Sequence, residues 1–336
     1  MSRSLRLPAR ILGSLAALMM LAGPALAVDP ETPETPADAP EAAPAPFAAP
    51  ETTTSTDPFE AYRFGFYVTA MNRALERAEQ GDAAAMALIG RLFLEGRGVT
   101  LNRTRAMEWF ALAADAGDPR AAFEWARLAL EDDNAENDRD AVPRLEQAVA
   151  DGNARAEIAL AFVLIEGQLA PRDLTRAAEL MTRASDAGIA EAQYALALMY
   201  REGAGLVPND VEATRLLGLA AEQGHVEAQV EYAFAIFQGR GVARNEAVGA
   251  AWFERAAHSG NAIAQNRVAR MHATGTVLAF DPLLAATWHF RAVEQGLQDA
   301  RLDTFIAGLP EEVVAEARTR ARAPLDADTD PLPPTE

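Results

Sequence analysis

Between Asp57 and Ala323 the apolar positions recur at spacings of three and four, and strict alternation is absent. That is the period of a helix face, not of a strand. The organisation emerges when the chain is cut at one glycine. Gly81, Gly117, Gly152, Gly188, Gly224, Gly260 and Gly296 are separated by 36, 35, 36, 36, 36 and 36 residues. A fixed period in this range marks a repeat array, in which each unit buries its apolar face against its neighbours.

Counting from each reference glycine, the fourth position is Ala85, Ala121, Ala156, Ala192, Ala228 and Ala264. The ninth is Gly90, Ala126, Ala161, Ala197, Ala233 and Ala269, always tiny, while the eighth is always large and apolar, from Ile89 to Val268. Tiny residues let helix axes approach, and a bulky neighbour fills the groove beside them. Stop signals agree. Gly96, Gly167, Gly203, Gly239 and Gly275 stand at the fifteenth position, where a left-handed residue closes a helix. Asn102, Asp173, Asn209, Asn245 and Asp281 then offer N-caps for a second helix. Each unit therefore reads as helix A, a glycine turn, helix B and a sharp return.

These residues carry a family resemblance. Gly81, Ala85, Gly90, Phe93, Gly96, Gly98, Val99, Ala106, Trp109, Phe110, Ala113, Ala114 and Gly117 form a pattern that resembles the Sel1-like repeat. Gly239, Gly241, Val242, Trp252, Phe253, Ala256 and Ala257 repeat it almost as closely. The resemblance covers 81–296 as six units: 81–116, 117–151, 152–187, 188–223, 224–259 and 260–295. It implies an all-α fold, an α-solenoid of tetratricopeptide-like helix pairs wound as a right-handed superhelix. The second unit departs most. It is one residue short, carries Asp132 to Asp138 where its glycine turn should be, and lacks the Trp/Phe pair. Leu169 and Val277 replace the second turn glycine in the third and sixth units.

The flanks read differently. Residues 1–27 have the basic start, short apolar stretch and Ala25-Leu26-Ala27 end of a cleaved signal peptide, with an uncleaved anchor as the alternative. The expected location is the bacterial periplasm, with no membrane insertion after cleavage. Residues 28–56 are rich in Pro, Ala, Glu and Thr and read as a disordered tether, and 324–336 as a loose tail. Helical caps are expected at 57–80 and 297–323, because a terminal repeat has one face without a neighbour.

Composition narrows the chemistry. The chain has 336 residues, no cysteine and a net charge of −19. All 30 of its basic residues are arginine. Thiol nucleophiles, thiolate metal sites and lysine Schiff bases are excluded, and the charge argues against nucleic acid as a partner. His225, His258, His272 and His289 form no metal-binding spacing. His225 reads as a helix start, and His272 and His289 as substitutes for packed aromatics. Ser185 and Ser259 lie in no nucleophile-elbow pattern. No catalytic residue, metal site or cofactor is assigned, and the chain is not expected to be an enzyme. Glu95, Glu131, Glu166 and Glu202 recur just before the turns, as a cation-binding ladder or simply as solvated acids. Trp109, Trp252 and Trp288 share one repeat position and read as core.

The remaining candidate is a partner surface. The tenth position reads Arg91, Arg127, Phe162, Leu198, Phe234 and Arg270, and is expected to be exposed on the concave side formed by helices A. The sixth position, from Ala87 through Phe123 and Tyr194 to Asn266, reads either as part of that groove or as buried between helices. An apolar middle rimmed by arginine suits a protein or peptide partner. The resemblance implies an adaptor, since members of the family are generally scaffolds and some exported ones restrain a sensor kinase. An enzyme or ligand binder acting on β-lactams or muropeptides is the alternative, for which the chain lacks the cysteines of comparable family members.

Overall fold

Glycine turns and N-caps place the helices where the period predicts. The computed structural model describes residues 56–131 and 135–324, and among them there are sixteen helices and no strand. The expected signal peptide, the tether up to residue 55 and the tail from residue 325 lie outside the described residues, as does most of the replaced turn of the second repeat. The chain divides into two compact units, Met1–Pro171 and Arg172–Glu336. The division falls inside the third repeat, although the sequence period runs through it.

The first unit holds α1 (Pro58–Arg63), α2 (Tyr67–Ala78), α3 (Ala83–Glu95), α4 (Arg103–Asp115), α5 (Ala121–Ala129), α6 (Ala135–Ala150) and α7 (Ala154–Glu166). The second holds α8 (Leu174–Asp186), α9 (Ala190–Glu202), α10 (Asp210–Glu222), α11 (Val226–Gln238), α12 (Glu246–His258), α13 (Ala262–Thr274), α14 (Pro282–Glu294), α15 (Ala300–Ala307) and α16 (Glu311–Arg322). Within each unit nearly every helix packs against its sequence neighbour. That is the contact pattern of an α-solenoid, in which short connections keep successive helices side by side.

Local chemistry explains the boundaries. Gly96, Gly167, Gly203, Gly239 and Gly275 close their helices with φ between 63° and 73°, a conformation in which a β-carbon would crowd the following carbonyl. All five expected caps of helix B act as such: the Asn102 and Asp281 side chains accept from the Arg105 and Leu284 N–H groups, and Asp173, Asn209 and Asn245 do the same. The second turn glycines have another task. A β-carbon on Gly205 would lie 2.0 Å from the Leu174 carbonyl oxygen, and one on Gly241 equally close to that of Asp210. These turns therefore rest on the start of the preceding helix B.

The tiny positions behave as expected. The alanines at positions four and nine are at most 1% exposed, and a β-carbon on Gly90 would meet the Phe110 ring at 2.9 Å. Trp252 and Trp288 are buried, so they belong to the core. The segment ahead of the first repeat forms α1 and α2. After the last repeat, α15 starts at Ala300, where Asp299 caps it. The last helix, α16, buries Ala317 and Ala321, and its acids lie early and its arginines late, as its dipole favours.

Candidate functional site

The tenth positions are not uniformly exposed. Phe162 and Leu198 are each only 2% exposed, which corrects the expectation of an exposed apolar middle. The cause lies in their helices. Residues 156–165 of α7 and 192–199 of α9 are buried without interruption, so neither helix keeps a free face; a helix that is apolar all round belongs to a core. The sixth position is core as well: Phe123, Ile158, Tyr194, Val230 and Asn266 are all buried, with only Ala87 partly open.

Arg127 is also drawn in. Its side chain is 14% exposed and bonds Glu124 at 3.1 Å and Glu131 at 2.6 Å. Glu131 in turn accepts from Arg103 at 2.5 Å. Part of the glutamate row is thus consumed by structural pairs. Glu95 accepts the Tyr62 hydroxyl at 2.6 Å; burial together with this bond pushes the phenol up to about 12. Burial alone pushes the Glu166 carboxyl up, and Glu202 lies 4.0 Å from Arg201. No row of free carboxylates faces solvent as a cation ladder.

The histidines take structural posts. His225 caps α11, its Nδ1 accepting the Ala228 N–H at 3.2 Å while the ring stacks on Tyr194 at 4.7 Å. Burial pulls its imidazole below the usual range. His272 is buried with Nδ1 2.9 Å from the Ala279 carbonyl, and His289 is buried with Nε2 2.9 Å from Asp303. Among the described residues no group of three such side chains is placed to hold a metal ion.

Recesses remain open in each unit. In the first unit Arg91 and Phe123 line a cavity of about 480 Å³ with Arg120 and Arg155, but Glu124 and Asp151 line it too. In the second unit Phe234 and Arg270 line a cavity of about 530 Å³ between α11, α12 and α13. The predicted residues therefore meet in pairs, Arg91 with the sixth-position Phe123, and Phe234 with Arg270.

The second recess has the sharper chemistry. Its floor is Phe253, with Phe234 edge-on at 4.8 Å and Phe237 at 6.3 Å. Its rim carries Arg244, Arg267 and Arg270, and among the described residues no acidic side chain lines it. Arg270 bonds the buried Asp299 at 2.5 Å. Burial opposes ionisation of Asp299, but hydrogen bonds from Arg270, Asn266 and the Arg301 N–H outweigh it and hold the carboxyl well below the usual carboxylate range. Arg244 pairs with Glu246 beside the turn. Arg267 makes no ion pair among the described residues; its guanidinium lies 5.0 Å over the Phe234 ring. Arg244, Arg267 and Phe237 were invisible to the repeat analysis because they do not recur, and only non-recurring surface residues could have flagged them. A set of buried amides was missed too. Gln229 and Gln265, both at the fifth position, donate to the carbonyls of Ala221 and Ala257 and tie helix A to the preceding helix B.

Stacked helix pairs that expose rigid, aromatic and arginine-rich recesses define a repeat scaffold of the protein-interaction type. More narrowly, the Sel1 repeat profile matches residues 83–118, 117–134, 154–189, 190–225, 226–261 and 262–297. It spans more than half of the chain, which belongs to the Sel1 repeat family. The second match stops after the first helix of its unit, where the turn is replaced. The chain is similar in structure to a protective antigen of uropathogenic Escherichia coli that displays this fold. That pair shows 23% identity and a TM-score of 0.68, over 81% of this chain and 63% of the other. The chain thus spans less than two thirds of that antigen. A Sel1 repeat protein from Oxalobacter formigenes shows 24% identity and a TM-score of 0.63, over 71% of this chain and 98% of its own. At such identities the likeness establishes the fold. No curated protein matches the sequence significantly. Among the described residues no helix is long and apolar enough to cross a membrane.

Proposed function

We propose that this chain is an exported, non-enzymatic scaffold that binds a protein or peptide partner in the periplasm and thereby regulates envelope signalling. The signal-peptide pattern of residues 1–27 supports export. The family supports an adaptor role, as does the regulator role of exported members. The observation that carries the reading is the preformed recess of the second unit: aromatic rings packed edge-on, with the Arg267 guanidinium already set over Phe234 and Arg244 and Arg270 at the rim. Tyrosine, phenylalanine and arginine are the residues that dominate interface cores, and a rim fixed in advance avoids much of the ordering cost of binding.

The test is affinity capture with the mature chain from crosslinked envelope extract. One partner recovered in near-stoichiometric amount, and lost when the aromatic floor is disturbed by F237S, is the expected result. Recovery of only non-specific proteins, repeated after crosslinking, rejects the reading. Mature chain found in the cytoplasmic fraction rejects the export part of it.

A further inference from the structure

The chain carries 49 acidic residues and a net charge of −19, yet among the described residues the recess between α11, α12 and α13 is lined by three arginines and no carboxylate. In a chain of this composition such a pocket is a local inversion of sign. Two of its arginines have carboxylate partners outside the lining, Glu246 for Arg244 and Asp299 for Arg270. The third, Arg267, has no carboxylate within ion-pair distance among the described residues; Asp299 acts on it only from further away. Its charge is set against the Phe234 face and beside Arg270, and burial followed by that like charge pulls its guanidinium below the usual range, with Asp299 offsetting this only in part. An unpaired arginine in a like-charged neighbourhood is stabilised by any anion that arrives. Below it, Phe234, Phe237 and Phe253 offer an apolar floor.

We infer that this recess is the docking site for an acidic segment of a partner protein, one that presents a bulky apolar side chain flanked by carboxylates. The apolar side chain packs on the phenylalanine floor, and the carboxylates meet Arg267 and Arg244 at the rim. Charge complementarity selects this occupant, because the chain as a whole is strongly acidic and this recess presents arginines to a carboxylate. The inference rests on the scaffold reading and names the chemistry of its partner. The corresponding recess of the first unit is lined by Glu124 and Asp151 as well as by Arg91, Arg120 and Arg155, so an acidic segment would meet carboxylates there.

The experiment is a fluorescence-anisotropy titration of the full-length mature chain. The probe is a labelled acidic nonapeptide with a central phenylalanine between glutamates. The expected result is saturable binding that R267E and R244E each weaken at least tenfold, with unchanged melting curves. A glutamine-for-glutamate probe and an alanine-for-phenylalanine probe should bind at least tenfold more weakly. Equal binding of the glutamine probe, or an R267E chain that binds like the parent, overturns the inference. So does co-sedimentation with anionic phospholipid vesicles in the absence of peptide binding. If replacing Asp326, Asp328, Asp330 and Glu336 by amides tightens peptide binding tenfold, the chain's own tail fills the recess and the assignment to a separate partner is overturned. The two readings fail separately. A captured partner retained equally by R267E and R244E overturns the docking site and leaves the scaffold reading standing. Peptide binding as expected with no partner captured does the reverse.

Discussion

At the scale of single residues, most side chains that looked like candidates for chemistry are structural, and the reason is hydrogen bonding. His225 is the clearest case. Its Nδ1 accepts a backbone N–H, which only the neutral ring can do. Its folded-state pKa lies below the ordinary value, so the cap contributes fully above about pH 6.5 and is lost as the pH falls through the folded value. H225N, a cap that does not titrate, should remove this dependence. Chemical denaturation at pH 7 and pH 5 should show the parent losing about 1 kcal/mol more than H225N across that interval. Equal losses would show that His225 does not cap as a neutral ring. The position of His225 just after a repeat glycine made it legible as a helix start. Its lone-pair role, and the stacking on Tyr194, needed the neighbouring repeat in place.

At the scale of helices and turns, the glycines separate into two kinds that the sequence alone does not distinguish. Gly224 has φ 88° and open space around its missing β-carbon, whereas Gly205 has φ 75° and a neighbouring carbonyl 2.0 Å from it. Alanine at Gly224 should cost about 1–2 kcal/mol from backbone handedness. At Gly205 it should cost more, because the turn must lift off the start of α8. Urea melts of G224A and G205A measure the difference, and equal losses refute the contact. The aromatic positions give the complementary case. Trp252 is 3% exposed and meets Tyr232 edge-on at 5.4 Å, so W252A should cost about 3–5 kcal/mol in a thermal or urea melt. A melt unchanged by W252A would move Trp252 out of the core. In both cases the period identified the residue and tertiary packing decided how much it matters.

At the scale of the whole chain, charge is the dominant feature. A net charge of −19 makes the folded chain repel itself, and added salt screens exposed charges over about 10 Å at 0.1 M. The melting temperature should therefore rise by several degrees between 10 and 300 mM sodium chloride. A flat or falling trend would mean that surface ion pairs, which salt weakens, outweigh the repulsion. The family, the helix boundaries, the caps and the tiny packing positions all follow from the sequence, because each is a local rule repeated every 36 residues and needs only neighbours along the chain. The docking surface does not. Phe162 and Leu198 share a repeat position with Phe234 and Arg270, yet burial takes the first two and leaves the last two at a recess. Exposure depends on how many helices surround a residue, and the pairing of Arg244 and Arg270 but not Arg267 depends on which carboxylates fall within reach. Both are sums over residues distant in sequence, and only the tertiary structure performs them.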